Sequence, residues 1–182
     1  QRQMCIRDRG LEYIEINLSV SQCMHHGLAD SILESMSRYG VSSNQVNLEI
    51  TESAASYDQS VMSENLEQLS AVGLTFSLDD YGTGYSNMYR IAALPLKIVK
   101  LDKTFVNNQN SKMWTILQNT VRMIKDLNME IVVEGIETEE MVKKFSDLKC
   151  DFIQGYFFSK PIPQREFVEF IDRWNNRQKV NA

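Results

Sequence analysis

Leu74-Thr-Phe-Ser-Leu-Asp-Asp-Tyr-Gly-Thr-Gly-Tyr-Ser-Asn87 runs an apolar segment into two adjacent carboxylates, Asp79 and Asp80, and then into two glycines, Gly82 and Gly84. Neighbouring side chains on a strand point to opposite faces, so both aspartates can serve one site only where strand geometry ends. The expectation is a strand over Thr75–Leu78, followed by a turn that lets both carboxylates converge. Paired anionic oxygens at such a point suit hard divalent cations, Mg²⁺ or Mn²⁺. Taken alone, the same residues read equally well as an exposed Asp-Asp-x-Gly turn. The ends of the other strands decide between the two.

Outward from this stretch, short β-like runs alternate with longer amphipathic ones. Tyr13–Leu18, Gln45–Thr51, Thr75–Leu78, Lys97–Asp102, Glu130–Glu134 and a segment from Asp151 to Phe158 read as strands. Between and after them, Gln22–Tyr39, Gln59–Ala71, Ser86–Ala93, Lys112–Leu127, Thr138–Leu148 and Gln164–Trp174 carry apolar residues at helical spacing. Six βα units without linker or low-complexity segments imply a mainly parallel sheet covered by helices. Periodicity alone allows an open doubly wound sheet, or most of an eight-unit (β/α) barrel of about 250 residues.

Polar placement favours the barrel. Asn17, Glu49, Asp79 with Asp80, Lys100 with Asp102, Glu134 with Glu137, and Gln154 each fall at the C-terminal end of a strand. A (β/α) barrel opens all of those ends onto one face and places its active site there. Singly, each has an ordinary explanation. Asn17 or Glu49 could cap a helix, Glu137 could complement a helix N-terminus, and Gln154 could belong to a turn. Six strands ending the same way outweigh those separate accounts.

Composition bounds the rest. A chain of 182 residues, 43% hydrophobic and 24% charged, is long enough for one soluble domain with a sizeable core. A net charge of −5 argues against a broad footprint for DNA or RNA, while leaving room for a phosphate-bearing small ligand near bound metal. Cys5, Cys23 and Cys150 lack metal-ligand spacing and read as reduced thiols of a cytoplasmic protein. No apolar run reaches membrane-spanning length. Residues 1–9, QRQMCIRDR, are aperiodic. Met4-Cys-Ile-Arg-Asp8 matches translation of a sequencing-adapter transposon end, so this segment is expected to be non-native, with the domain occupying 10–182.

The chain resembles the EAL domain, the cyclic di-GMP phosphodiesterase module of bacterial signalling proteins. The resemblance rests on Glu15-Ile-Asn-Leu-Ser19, Leu48-Glu-Ile-Thr-Glu-Ser53, Leu78-Asp-Asp-Tyr-Gly-Thr-Gly-Tyr-Ser86, Leu94-Pro95, Lys100-Leu-Asp102, Phe105-Val106, Val133-Glu-Gly-Ile-Glu-Thr138, Gln154-Gly-Tyr156 and Pro161. It implies a (β/α)8 TIM-barrel-like fold, six of whose eight βα units are present here. It also implies a two-metal Mg²⁺ or Mn²⁺ site on Asn17, Glu49, Asp79, Asp80 and Glu134. By the same resemblance, Lys100 positions or activates the attacking water, and Glu52 holds the loop after the paired aspartates. Gln154 lies near the substrate phosphate, and Asp102 and Glu137 have less defined places around it. The implied reaction is hydrolysis of cyclic di-GMP to linear pGpG.

The family's Glu-Ala-Leu tripeptide, with its metal-binding glutamate, should precede Asn17 by roughly sixty residues as the resemblance implies. The expectation is therefore a partial domain lacking the first two βα units, and a fragment impaired in activity. Two alternatives stay open: a non-catalytic cyclic di-GMP receptor of the same family, and another metal-dependent barrel enzyme using Lys100 as base. Family members are often fused to GGDEF, sensory or membrane segments, and many pair as homodimers.

Overall fold

The computed structural model describes residues 11–55, 60–83, 88–107 and 110–180. Six parallel strands form one sheet: β1 (Ile14–Leu18), β2 (Val46–Thr51), β3 (Thr75–Tyr81), β4 (Ile98–Leu101), β5 (Glu130–Val133) and β6 (Phe152–Ile153). The helices are α1 (Val20–Cys23), α2 (Leu28–Tyr39), α3 (Glu52–Ala55), α4 (Ser60–Ala71), α5 (Met88–Ala93), α6 (Lys103–Asn107), α7 (Ser111–Asp126), α8 (Glu139–Asp147) and α9 (Gln164–Val180). Each strand pairs with the next in sequence, in the order β1-β2-β3-β4-β5-β6. A doubly wound sheet reverses its order at a switch point, whereas a barrel winds in one direction. The observed order is that of the barrel.

The two faces of the sheet have opposite chemistry. Val46, Leu48 and Ile50 of β2, Phe76 and Leu78 of β3, Val99 and Leu101 of β4, and Ile131 and Val133 of β5 join one apolar core with the helices. The helices contribute Met62, Leu66, Leu69, Leu117, Val121, Ile124 and Phe145 to the same core. Alternation sends Asn47, Glu49, Ser77 and Lys100 to the opposite face, where they are buried as well. A sheet curled upon itself buries its inner face in this way.

Several element boundaries differ from the sequence-based expectation. The segment expected as one helix, Gln22–Tyr39, is two helices separated by a turn at Met24–Gly27. Gly27 sits at φ 84°, and Asn65 of α4 donates from Nδ2 to the carbonyls of Cys23 and His25 at 3.0 Å each. Satisfying those carbonyls from outside makes the interruption stable. His25 and His26 accordingly lie exposed in the turn rather than inside a helix. The short helices α3 and α6 were not anticipated, and the last strand is only Phe152–Ile153. The expectations for 1–9, Gln59 and 84–87 fall outside the described residues.

Among the described residues the sheet has two open edges. β1 and β6 each have one paired neighbour, and a groove of about 900 Å³ lies between them, lined by Tyr13, Glu15, Phe152, Gln154, Phe167 and Trp174. Ile16 on the outer face of β1 is 43% exposed. No helix among the described residues is long and apolar enough to cross a membrane.

Phe76 has 0% exposure at the centre of the core, whereas Ile116 on α7 is 49% exposed. Phe76→Ala is expected to cost about 3–5 kcal/mol of unfolding free energy by cavity formation. Ile116→Ala should stay within about 0.5 kcal/mol. Urea denaturation of both variants beside wild type checks the contrast.

Candidate active site

β3 does not end at Leu78. It continues through Asp79 and Asp80 to Tyr81, and its register with β4 shifts between Leu78 and Tyr81. Within that irregularity Asp80 adopts φ 56°, a left-handed conformation that a non-glycine residue occupies at a cost. The bulge turns one residue out of the pleat, so consecutive side chains no longer oppose each other. Asp79 and Asp80 therefore converge inside the strand, not in a turn beyond it. Each of the two, together with Glu134 just past β5, offers an oxygen, and the three oxygens lie within 4.8 Å of one another.

Lys100 stands among carboxylates on the polar face. Its Nζ lies 2.5 Å from Glu49 Oε1, 2.9 Å from Glu134 Oε1, 3.5 Å from Asp79 Oδ1 and 3.8 Å from Glu15 Oε2. β1, β2, β3 and the loop after β5 supply one acid each, and the lysine from β4 reaches all four. Burial by itself disfavours the ammonium, but hydrogen bonds and charge from Glu49 and Glu134 overcome this and hold Lys100 well above the usual lysine value.

The acids feel their crowding. Burial raises Glu134, and Asp79 and Glu49 add to the rise while Lys100 opposes it. Burial, then the neighbouring charges of Asp79 and Asp102, raise Asp80. Burial raises Glu15 too, opposed by Lys100 and reinforced by Glu49. Asp79 Oδ1 is buried and accepts no hydrogen bond from the described residues, with the Lys100 ammonium 3.5 Å away as its ion-pair partner. A buried carboxylate oxygen held only by an ion pair at that distance retains capacity to accept a further cation. An all-oxygen set with no Cys or His fits a hard divalent ion.

The loop after β3 is held from beneath. Gly82 N–H donates to Glu52 Oε2 at 2.7 Å, and Glu52, at the start of α3, is buried. Gly82 has φ 101°, and a Cβ there would come within 2.0 Å of the Phe105 ring. Phe105 in turn stacks on Tyr81 with ring centroids 6.3 Å apart. Loop, ring and carboxylate thus lock the backbone immediately beyond Asp80.

Of the residues singled out from the sequence, Glu49, Asp79, Lys100 and Glu134 form one contact cluster, and Asp80 joins it through the oxygen group. Asp102 is buried beside it, and its Oδ1 accepts the Thr104 N–H at 2.8 Å. Asn17 is the register partner of Glu49 and is exposed at the mouth. Gln154 and Glu137 are exposed as well, and among the described residues no hydrogen bond or ion pair joins their side chains to the cluster. The sequence reading missed Glu15 as a site residue. The available signal was its position two residues before Asn17, hence on the same face of the strand.

The raised carboxyls make metal-free stability depend on pH. Glu15, Asp80 and Glu134 bind protons more tightly in the folded chain than their ordinary values of 4.5, 3.8 and 4.5. The folded state then holds more protons than the unfolded one above that range, so these groups' contribution falls as pH rises through it. Lys100 works at the other end: its contribution is complete below the ordinary lysine value of 10.5 and is lost only as pH climbs through its higher folded value. Since a cation relieves the repulsion that protons relieve at low pH, Mg²⁺ should raise the melting temperature more at pH 7.5 than at pH 5. Differential scanning fluorimetry at both pH values checks this.

The EAL domain family model matches residues 1–161. Among curated proteins, the bifunctional diguanylate cyclase/cyclic di-GMP phosphodiesterase MucR of Pseudomonas aeruginosa is 36% identical over 160 residues, covering 87% of this chain and 23% of MucR. The chain spans about a fifth to a quarter of the length of the first curated relatives it matches. The MucR phosphodiesterase solved in complex with c-di-GMP superposes with a TM-score of 0.81 at 34% identity, over 91% of this chain and 70% of that one. Klebsiella pneumoniae BlrP1, solved as a manganese/cy-diGMP complex, gives a TM-score of 0.77 at 25% identity, over 87% of this chain and 42% of its own. With a family match over most of its length and a site built at the ends of barrel-ordered parallel strands, this chain belongs to the EAL domain family, with its TIM-barrel-like fold.

Proposed function

We propose that this chain carries most of the active site of a metal-dependent phosphodiesterase that hydrolyses cyclic di-GMP to linear pGpG. The observation that carries the reading is the convergence of Asp79, Asp80 and Glu134, with a buried Asp79 oxygen that accepts no hydrogen bond among the described residues. The family relationship supplies the substrate class: MucR is a cyclic di-GMP phosphodiesterase by name, and its phosphodiesterase was solved with c-di-GMP.

In this reading Asn17, Glu49, Asp79, Asp80 and Glu134 would hold two Mg²⁺ or Mn²⁺ ions, which when bound would supply a lowered pKa for a bound water and charge stabilisation for the leaving oxygen of a phosphodiester. Among its carboxylates in the metal-free chain Lys100 is held protonated, which supports a role as a hydrogen-bond donor that orients the attacking water. That weighs against a barrel enzyme that uses Lys100 to abstract a proton. Glu52 fixes the backbone at Gly82 and with it the placement of Asp80. Gln154, Asp102 and Glu137 contribute to substrate binding in the same reading. A receptor without catalysis is the weaker alternative, because every acid of the described cluster is present.

The groove between β1 and β6 belongs to the same proposal. Two parallel edges unpaired among the described residues, around a polar interior, call for further strands. Two additional strand–helix units of a longer parent polypeptide, carrying the Glu-Ala-Leu motif, would close the barrel and bring one more carboxylate to the metals. Residues 1–9 are read as foreign to that polypeptide. In the same reading the parent acts in the cytoplasm on a small diffusible substrate, with GGDEF or sensory segments upstream.

The test has two arms. A protein of full reading-frame length should cleave cyclic di-GMP in Mg²⁺ or Mn²⁺, followed by chromatography of pGpG. Asp79→Asn or Glu49→Gln should slow it by about 100-fold or more, each 1.4 kcal/mol lost at the transition state being tenfold. The 182-residue chain alone should bind Mg²⁺ but turn substrate over poorly. Rapid turnover by that chain would remove the need for the two further units. Absence of cleavage by the longer protein would leave the receptor reading.

A further inference from the structure

Three of the four carboxylates around Lys100, namely Glu49, Asp79 and Glu134, are those assigned above to divalent cations. The fourth is Glu15, whose Oε2 lies 3.8 Å from the ammonium. It stands outside the Asp79, Asp80 and Glu134 oxygen group. On β1 it precedes Asn17 by two residues, one step further from the mouth than the Asn17–Glu49 register pair, and at the open β1 edge its side chain is 27% exposed. Its own register partner is Asn47, a residue with 0% exposure. Ser77 Oγ fixes the Asn47 amide by donating to Oδ1 at 2.9 Å. The other arm of that amide, Nδ2, is buried with no hydrogen-bond partner among the described residues. Beneath the metal-facing layer there is thus a second polar layer, in which Asn47 and Ser77 are buried and Glu15 closes the half-exposed edge within 3.8 Å of Lys100.

Divalent cations on Glu49, Asp79 and Glu134 would draw those carboxylates toward themselves and repel the ammonium they now surround. Without another anion, Lys100 would swing away from the position its catalytic role needs. We propose that Glu15 is a positioning residue for Lys100, anchoring the ammonium in the deeper polar layer while the other three carboxylates are engaged with metal. The inference rests on the metal-site reading given under the proposed function. Glu15 touches neither metal nor substrate in this account; it acts through the lysine.

Nuclear magnetic resonance of the ¹⁵N-labelled chain tests this without depending on turnover. The side-chain ammonium signal of Lys100, assigned by its disappearance in Lys100→Arg, is visible only while the group is held and shielded from solvent exchange. In wild type it should persist at saturating Mg²⁺. In Glu15→Gln it should be lost on adding Mg²⁺, and Glu15→Asp should restore it, with the backbone amide spectrum otherwise retained. Glu15→Ala gives the same reading if the glutamine variant loses its fold. Persistence of the signal in Glu15→Gln at saturating Mg²⁺ overturns the inference and leaves the metal site standing. Loss of Mg²⁺ binding in a folded Glu15→Gln, seen by calorimetry, overturns it by making Glu15 a ligand. Failure of wild type to bind Mg²⁺ overturns the metal-site reading, and this inference with it.

Discussion

One ammonium holds the interior together. Lys100 is 4% exposed and faces Glu15, Glu49, Asp79 and Glu134, which come from four separate parts of the sheet. Without a central cation these acids would repel one another across the polar face of the sheet. The lysine is long enough to reach all four from β4, and its charge is compact enough to be shared. It stabilises the face on which the site is built, and the site inherits its spacing from it.

Around that centre the structure divides its work between two faces. The outer face of the strands and the inner sides of the helices form a continuous apolar core with Phe76, Leu48, Leu66 and Phe145 fully buried. That core supplies rigidity, whereas the inner face supplies charge. Parallel strands paired in simple succession bring their C-terminal ends to one side, so residues distant in sequence, such as Glu49 and Glu134, both lie within hydrogen-bond reach of Lys100. Rigidity also extends beyond the strands. Glu52, Gly82, Phe105 and Tyr81 clamp the chain where it leaves Asp80, an arrangement suited to holding an acidic group in a conformation it would not adopt freely.

The local sequence was a good guide to elements whose pattern is self-contained. The alternation in Val46–Thr51 and the helical spacing in Ser111–Asp126 specify their elements without help from elsewhere. It was a poor guide where a distant group intervenes. The break between α1 and α2 depends on Asn65, which lies 40 residues beyond His25 and satisfies the carbonyls that the break exposes. The sequence does place Gly27 there, but a glycine within an amphipathic run does not reveal that a side chain from another helix will fill the gap.

For the candidate site the same division holds. The residue types and their positions at strand ends were legible from the chain: an acid or amide at Asn17, Glu49, Asp79, Asp80 and Glu134, and a lysine at 100. So was the family, through the ordered motifs that contain them. Tertiary structure alone decided how the adjacent aspartates come together, because the bulge in β3 arises from its pairing with β4, which a linear pattern does not encode. It alone brought Glu15 into the cluster, since membership there is a matter of distance to a lysine three strands away. Sequence determined which chemistry was available; the curling of the sheet determined which charges had to share one space, because electrostatic energy depends on separation in space and not along the chain.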